Sequence, residues 1–513
     1  MAKLTPTHPP FAWLGRFWTP VGLGLVTVVA GFYRFFQLSS LPPGLDEASA
    51  QIGAQSLSLS TSGWLPALNS ANGYAPLWVW MQAASIQVFG HTSLALRVWP
   101  ALLGTLAVVV AWLWLRDWFG LRIAWVGAFT MAVSPWAVTV SRSGVGAALL
   151  TLLVPLTLWL GTRALRHPGA GQYAAFGAVL AADLLSGPIG WLLALCALGL
   201  GIRRLAATHN LLAFKRARAG GMVIFGAGAA AMAYFIGNSL PAISSMSRNL
   251  ELTGSPVAIG SNFVKVLLMF NVHGDENYRH NLAGAPLLNA FVGLMLVTGL
   301  LVGISRLHQL RYRVLLSLTV ILLLPAVITT RGIPNSSWAV GALPLIFALV
   351  GIGTSYMLEL WYATFPINSA ARASGQAAII LLLALTLIQG YTQYFRAWAG
   401  STAVYVAFNE GTVGMAEHLR TDKFTGERYI VAPADQLPVV NYLDHGFNGY
   451  LAITPTALVT LPVATASRQF YLSTSSRDEA VKVLKAKFPG GTLQPHYSAF
   501  NQVEIYYTYE VIK

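Results

Sequence analysis

The sequence predicts an all-α polytopic membrane protein of about eleven spanning helices, followed by a small α/β domain. Three observations predict it. Only 10% of the 513 residues are charged and 55% are apolar, whereas a soluble domain carries roughly 25% charged residues. Separate apolar runs of about 18 or more residues recur along the chain, each long enough to cross roughly 30 Å of hydrocarbon. Beyond residue 400 the pattern changes to charged stretches such as Arg420-Thr421-Asp422-Lys423 alternating with β-type runs.

The first run, Trp18 to Phe36, follows Lys3 and Arg16 and passes into Tyr33-Arg34-Phe35-Phe36 with no small-x-small cleavage site. It reads as an uncleaved signal anchor with its N-terminus in the cytoplasm. Further spans are expected at roughly 93–115, 122–140, 144–162, 172–186, 187–202, 220–240, 286–304, 314–330, 338–358 and 376–395. Spans alternate in direction, so the cytoplasmic links should be the basic ones. They contain Arg116 and Arg122; Arg163 and Arg166; Arg203, Arg204, Lys215, Arg216 and Arg218; Arg306, Arg311 and Arg313; and Arg372. The bias holds when 172–202 makes two short passes broken at Ser186-Gly187-Pro188. A re-entrant hairpin fits the charges equally well.

An odd number of spans puts the C-terminus outside, together with the loops 37–92 and 241–285. Within the first loop, Pro76–Phe89 is too short to cross and is expected as an amphipathic interfacial helix. Trp64, Trp78 and Trp80 suit headgroup level. The chain thus divides into a membrane module, 1–399, and an extracytoplasmic α/β domain, 400–513. In that domain Tyr429–Ala432, Gln469–Leu472 and Val503–Tyr507 read as strands, and Ala480, Val481, Leu484 and Phe488 mark a helix. The net charge of +14 sits mainly in the short links, so it reads as a topology signal and a contact with anionic membrane lipids, not nucleic acid. Cys196, the only cysteine, excludes an intramolecular disulfide.

Residues that could carry chemistry gather in the outer loops. Leu41-Pro42-Pro43-Gly44 sets a turn just above the membrane, and Asp46 and Glu47 follow it. A carboxylate there suits a general base that takes a proton from an attacking hydroxyl, and equally a ligand for a divalent cation. Asp46 also stands where it would cap the following helix. Arg34, Arg142, Arg248, Lys265, Arg279 and Arg331 lie on the outer side against the charge bias. Arginine's forked donors match phosphate oxygens, while snorkelling at helix ends explains any one of them without a ligand. The segment Phe270–Asn281 is densely polar. Its His273, Asp275, Glu276, Asn277 and His280 suit sugar or phosphate recognition, and their spacing is not a recognised metal pattern.

Asp46-Glu47 after Leu-Pro-Pro-Gly, Pro76-Leu77-Trp78, Ala95 to Gly104, and Ser134-Pro135-Trp136 ahead of Ser141-Arg142 together resemble glycosyltransferase family 39. That family lies in the GT-C superfamily, with the protein O-mannosyltransferases and the aminoarabinose transferases of lipid A. The resemblance covers roughly 30–165 and 262–355, including Gly341-Ala342-Leu343-Pro344, and is weak in the C-terminal domain. It implies a multi-pass enzyme of the cytoplasmic (inner) membrane that moves a sugar, with inversion, from a polyprenyl-phosphate carrier to a lipid, glycan or protein acceptor. Asp46 matches the catalytic aspartate, Glu47 would assist it, and Arg142 matches a residue near the donor phosphate, with Arg34, Arg279 and Arg331 as further phosphate ligands. No nucleotide sugar is required, and no glycine-rich nucleotide fingerprint occurs. The chain departs from its relatives in two places. Ser143 to Ala148 lacks the acidic residue that often follows Ser-Arg, and Pro334 to Trp338 lacks a common His and Arg. Asp275 and Glu276 would then supply the second acid, or the chain would bind carrier lipid without turnover. A transporter or flippase is a third reading; nearly charge-free spans and the lack of a repeat argue against it, and Asp183 beside the Ser186-Gly187-Pro188 break keeps it open.

Overall fold

The computed structural model describes residues 12–62, 75–167, 169–206, 255–330, 332–447, 449–462, 466–498 and 502–512, and the isolated positions 226, 229, 230 and 233. Trp64, Arg248, Arg331 and nearly all of the expected span 220–240 lie outside the described residues. The chain begins with α1 (Ala12–Phe35), then α2 (Glu47–Ser62) and α3 (Pro76–Phe89) of the first loop. There follow α4 (Ser93–Phe119), α5 (Leu121–Val133), α6 (Pro135–Val140), α7 (Ala148–Arg166), α8 (Ala170–Leu185) and α9 (Pro188–Ala206). Beyond residue 255 come α10 (Pro256–Leu268), α11 (Ala290–Ser305), α12 (Leu310–Ile328), α13 (Leu343–Thr364) and α14 (Ser369–Tyr391). A π-helical segment, Thr392–Trp398, continues α14.

Among the described residues five helical segments are long and apolar enough to cross a membrane: Ser93–Phe119, Ala148–Arg166, Leu310–Ile328, Val340–Thr364 and Ser369–Trp398. Six shorter apolar helices accompany them. Three expectations need revision. The run 122–140 is two helices, because Pro135 has no N–H to continue the ladder past Ser134. Pro76–Phe89 is a helix with the expected bounds, but it is apolar around its whole circumference rather than amphipathic. Trp78, Val79, Ala83 and Ile86 are buried, and Trp78 Nε1 donates to the Gly144 carbonyl at 3.1 Å instead of facing headgroups. The second loop holds an apolar helix, α10, which its Pro256 start foreshadows. The break between α8 and α9 falls where expected, at Ser186-Gly187, with Gly187 at φ +106°.

The membrane core centres on α13, whose apolar stretch is 89% buried. It lies between α5 and α11, and glycines on all three helices (Gly127, Gly299, Gly351 and Gly353) meet a facing backbone. A Cβ there would collide with main chain, so only glycine permits this approach. By contrast α14 is peripheral, 6% buried, and turns Ile380, Leu381, Leu385 and Ile388 outward.

The C-terminal part comprises α15 (Thr402–Ala407), α16 (Glu410–Thr421), β1 (Glu427–Val431), α17 (Leu437–Leu443), β2 (Leu451–Ile453), β3 (Arg468–Ser473), α18 (Arg477–Lys487), β4 (Thr492–Tyr497) and β5 (Glu504–Val511). The five strands form one mixed sheet in the order β2-β1-β3-β5-β4, parallel on the β2 side and antiparallel on the β4 side. Two strands escape the sequence reading. β2 is only three residues long, and β4 contains Pro495, which an edge strand tolerates. Phe470, Leu472, Ala480, Leu484, Tyr507 and Tyr509 form the sheet's own core. A second cluster joins Ala416, Val439, Tyr442 and Leu443 to Leu45, Ala50, Ile86 and Leu96 of the first loop and α4. Helices α16 and α17 are therefore packed directly on the loop that carries Asp46.

Candidate active site

Asp46 sits at the end of the turn 37–45; Arg142 and Arg97 hold that turn from beneath, and Arg34 ties the end of α1 to the ends of α5 and α6. Arg142 is fully buried. Its Nη1 donates to the carbonyls of Tyr33 (3.0 Å) and Arg34 (3.1 Å), and its Nη2 to those of Gln37 (3.1 Å) and Leu41 (2.9 Å). Arg34, also fully buried, donates to Ser141 Oγ and to the carbonyls of Ala30, Met131 and Ala132. Arg97 of α4 donates to the carbonyls of Leu38 and Gly44. The carbonyls at the end of α1 have no helical partners, and guanidinium forks satisfy several at once. The Leu41–Pro42 peptide is cis and Gly44 has φ +73°. A Cβ on Gly44 would overlap the Phe408 carbonyl, and the Leu45 N–H donates to that same carbonyl at 2.5 Å.

Asp46 does cap α2. Its Oδ1 accepts from the Ser49 N–H at 2.9 Å and its Oδ2 from Ser49 Oγ at 2.5 Å. The carboxylate also lines a cleft of about 130 Å³. Across the cleft stand Asn277, Arg279 and His280 of the second outer loop and Ser336 and Ser337 of the segment before α13. Ser143 and Phe408 close other sides. The fold thus joins the two outer loops that the threading put on one side.

Glu47 does not converge with Asp46. It is bound to Arg279 Nη2 through Oε2 (2.5 Å) and to Asn409 Nδ2 through Oε1 (3.0 Å). Arg279 is further tied by Nε to the Ala407 carbonyl at 2.7 Å. Among the described residues no group of three or more His, Cys, Asp or Glu side chains could hold a metal ion. This donor set does not fit a cation held between Asp46 and Glu47.

Asp275 lies behind His280, 2% exposed. Its Oδ2 accepts from His280 Nδ1 (3.0 Å), the Ser336 N–H (2.8 Å) and Ser336 Oγ (3.0 Å), and its Oδ1 from the Asn277 N–H (2.8 Å). Burial alone would raise this carboxyl, but the hydrogen bonds from His280, Asn277 and Ser336 outweigh it and hold it below the ordinary carboxylate range. A carboxylate only accepts, so Nδ1 of His280 carries a proton and Nε2 is left free on the cleft wall.

The sequence-derived set therefore divides. Asp46, Asn277, Arg279 and His280 line the cleft, and Glu47 and Asp275 stand one contact behind. Arg34 and Arg142 do not line it; their Nη groups are bound to backbone. His273 and Glu276 pair with each other at 3.1 Å, 58% and 77% exposed, away from the cleft. Arg331 lies outside the described residues. Sequence reasoning missed Arg97, Asn409, Ser336 and Ser337. Asn409, in the left-handed conformation at φ +52°, is the kind of residue that tolerates it, but nothing in the sequence joins it to Glu47.

The profile of the dolichyl-phosphate-mannose-protein mannosyltransferase family matches residues 74–236. No curated protein matches the sequence. Among solved structures, ArnT from Cupriavidus metallidurans bound to undecaprenyl phosphate superposes at a TM-score of 0.52 with 14% identity, over 97% of this chain and 98% of that one. The Archaeoglobus fulgidus oligosaccharyltransferase in its apo form gives 0.52 and 14%, over 94% of this chain and 70% of that one. At such identity the likeness is one of fold.

Proposed function

We propose that this chain, part of which matches the mannosyltransferase-family profile and whose fold superposes on those of ArnT and the oligosaccharyltransferase, is a membrane glycosyltransferase of the GT-C superfamily that moves a sugar from a polyprenyl-phosphate donor to a hydroxyl-bearing acceptor. The observation that carries the reading is the cleft itself. It sets one carboxylate, Asp46, opposite a wall of phosphate-binding type formed by Asn277, Arg279 and His280. Asp46 takes the proton from the acceptor hydroxyl as its oxygen attacks the anomeric carbon. The carrier phosphate leaves toward Arg279 and Asn277, whose N–H donors offset its growing charge. Glu47 orients Arg279, and Asp275 orients His280. That gives the second acidic residue, absent after Arg142, a place behind the histidine. The undecaprenyl phosphate of the ArnT structure supports the donor class. In this reading the cleft and residues 400–513 face the extracytoplasmic side.

The test is transfer from a radiolabelled polyprenyl-phosphate sugar in proteoliposomes, with donor binding measured in parallel. Binding with transfer supports the proposal. Binding without transfer to any lipid, glycan or peptide acceptor favours the carrier-binding reading, and absence of both refutes the donor class.

A further inference from the structure

At the other end of the bundle, α7 and α8 flank an open groove of about 350 Å³, lined by exposed Arg163, His167, Gly171 and Gln172 and half-buried Leu160 and Ala175. Ala147, just before α7, lines the Asp46 cleft; Arg163 lies roughly 23 Å further along, at about 1.5 Å per residue. The two sites are separate.

The groove is basic, and no carboxylate among the described residues lines it. Arg163 rests on the Trp159 ring, 4.9 Å from its centroid, and its guanidinium has no hydrogen bond or ion pair among the described residues. The His167 ring likewise has none there. The carboxylate beside them, Asp117, accepts from Arg116 Nη2 (3.2 Å) and Trp159 Nε1 (3.0 Å), while Arg166 Nη1 donates to the Asp117 carbonyl at 3.1 Å. That carboxylate is thus engaged by Arg116 and Trp159, and it does not line the groove. The remaining lining is apolar: Leu160 from within the membrane helix, and Ala175 opposite. Indole rings such as Trp159 sit at the membrane–water boundary.

The geometry points to an anionic phospholipid site, in which the phosphodiester headgroup lies against Arg163 and His167 and the glycerol and upper acyl carbons lie along Leu160 and Ala175. A basic pocket between helix ends at the interface is the chemistry that holds such headgroups. The lipid would bridge α7 and α8, and so brace the helix that begins at the catalytic cleft.

The experiment uses the full chain in a neutral detergent with dimyristoyl phosphatidylglycerol, dimyristoyl phosphatidylcholine or inorganic phosphate. Retained lipid is read by native mass spectrometry and stability by thermal melting. Phosphatidylglycerol is expected to be retained and to raise the melting temperature, the other two not. Arg163→Gln should weaken retention about fivefold, the contribution of one cation beside an anionic headgroup. Ala175→Phe, which fills the groove and leaves every charge, should abolish it. Arg372→Gln, whose guanidinium lies over Tyr362, should bind as the wild type does. Equal retention of phosphatidylcholine, an equal effect of inorganic phosphate, unchanged binding by both groove variants, or equal weakening by Arg372→Gln would each overturn the assignment.

Discussion

Asp46 is both a helix cap and the proposed base, and Asp46→Asn separates the two roles. The cap consists of two hydrogen bonds, Ser49 N–H to Oδ1 (2.9 Å) and Ser49 Oγ to Oδ2 (2.5 Å). Asparagine keeps the first through its carbonyl oxygen. It can replace the second by donating from Nδ2 to the Ser49 oxygen. Asn and Asp cap helices about equally well, so Asp46→Asn should change unfolding free energy by under about 0.5 kcal/mol. Asp46→Ala loses both bonds and should cost about 1–2 kcal/mol. Activity should divide differently. Neither variant can accept the acceptor's proton, so transfer should fall by about 10²–10⁴-fold in both. The assay pairs thermal melting of the purified chain with initial rates of transfer in proteoliposomes. A stable Asp46→Asn protein that transfers at the wild-type rate would refute the base assignment. Activity losses that merely track the melting temperature would reduce Asp46 to a cap.

The turn beneath Asp46 yields two further expectations. Arg142→Lys replaces four donated hydrogen bonds with a single ammonium that cannot reach all four carbonyls; it should destabilise by about 3 kcal/mol and lower the transfer rate more than it raises the Michaelis constant for donor, a split visible in steady-state kinetics. Gly44→Ala puts a methyl group into the Phe408 carbonyl at a left-handed φ and should cost about 2 kcal/mol or more, read as a lower melting temperature. A fourth prediction concerns Asp444, whose carboxyl is pushed up to about 6 by burial, against the lowering influence of Arg420 at 2.7 Å. A raised folded value means that protonation favours the folded state. This contribution is complete below about pH 4 and is lost as pH rises through about 6, to a total of about 3 kcal/mol. Asp444→Asn should therefore remove that loss, and the difference in melting temperature between variant and wild type should grow from pH 4 to pH 7; a constant difference would contradict the reading.

Much of this molecule is local, and what is local was legible. Long apolar runs predict membrane helices because the bilayer offers no other partner for backbone groups. Glycine and proline mark the break at 186–188, and Asp46 is recognisable as a cap because capping depends on the next three residues. Period-two runs likewise predict β1, β3 and β5. The arginines show where such reasoning stops. Arg34, Arg142 and Arg279 have the same chemistry in sequence, but Arg142 grips carbonyls of the turn, Arg34 grips carbonyls at the end of α5, and Arg279 stands on the cleft wall. That difference is set by distant segments. Arg142 is 101 residues from the Leu41 carbonyl it holds, and Asn409 is 362 from Glu47. A side chain's donors go to whichever unsatisfied group the packed helices bring near, since a buried polar group without a partner is costly. The sequence of Asp46 and its turn therefore named the catalytic candidate. Only the packing of α1, α4, the two outer loops and the segment at 408–409 determined which cations hold that residue in place and which face it across the cleft.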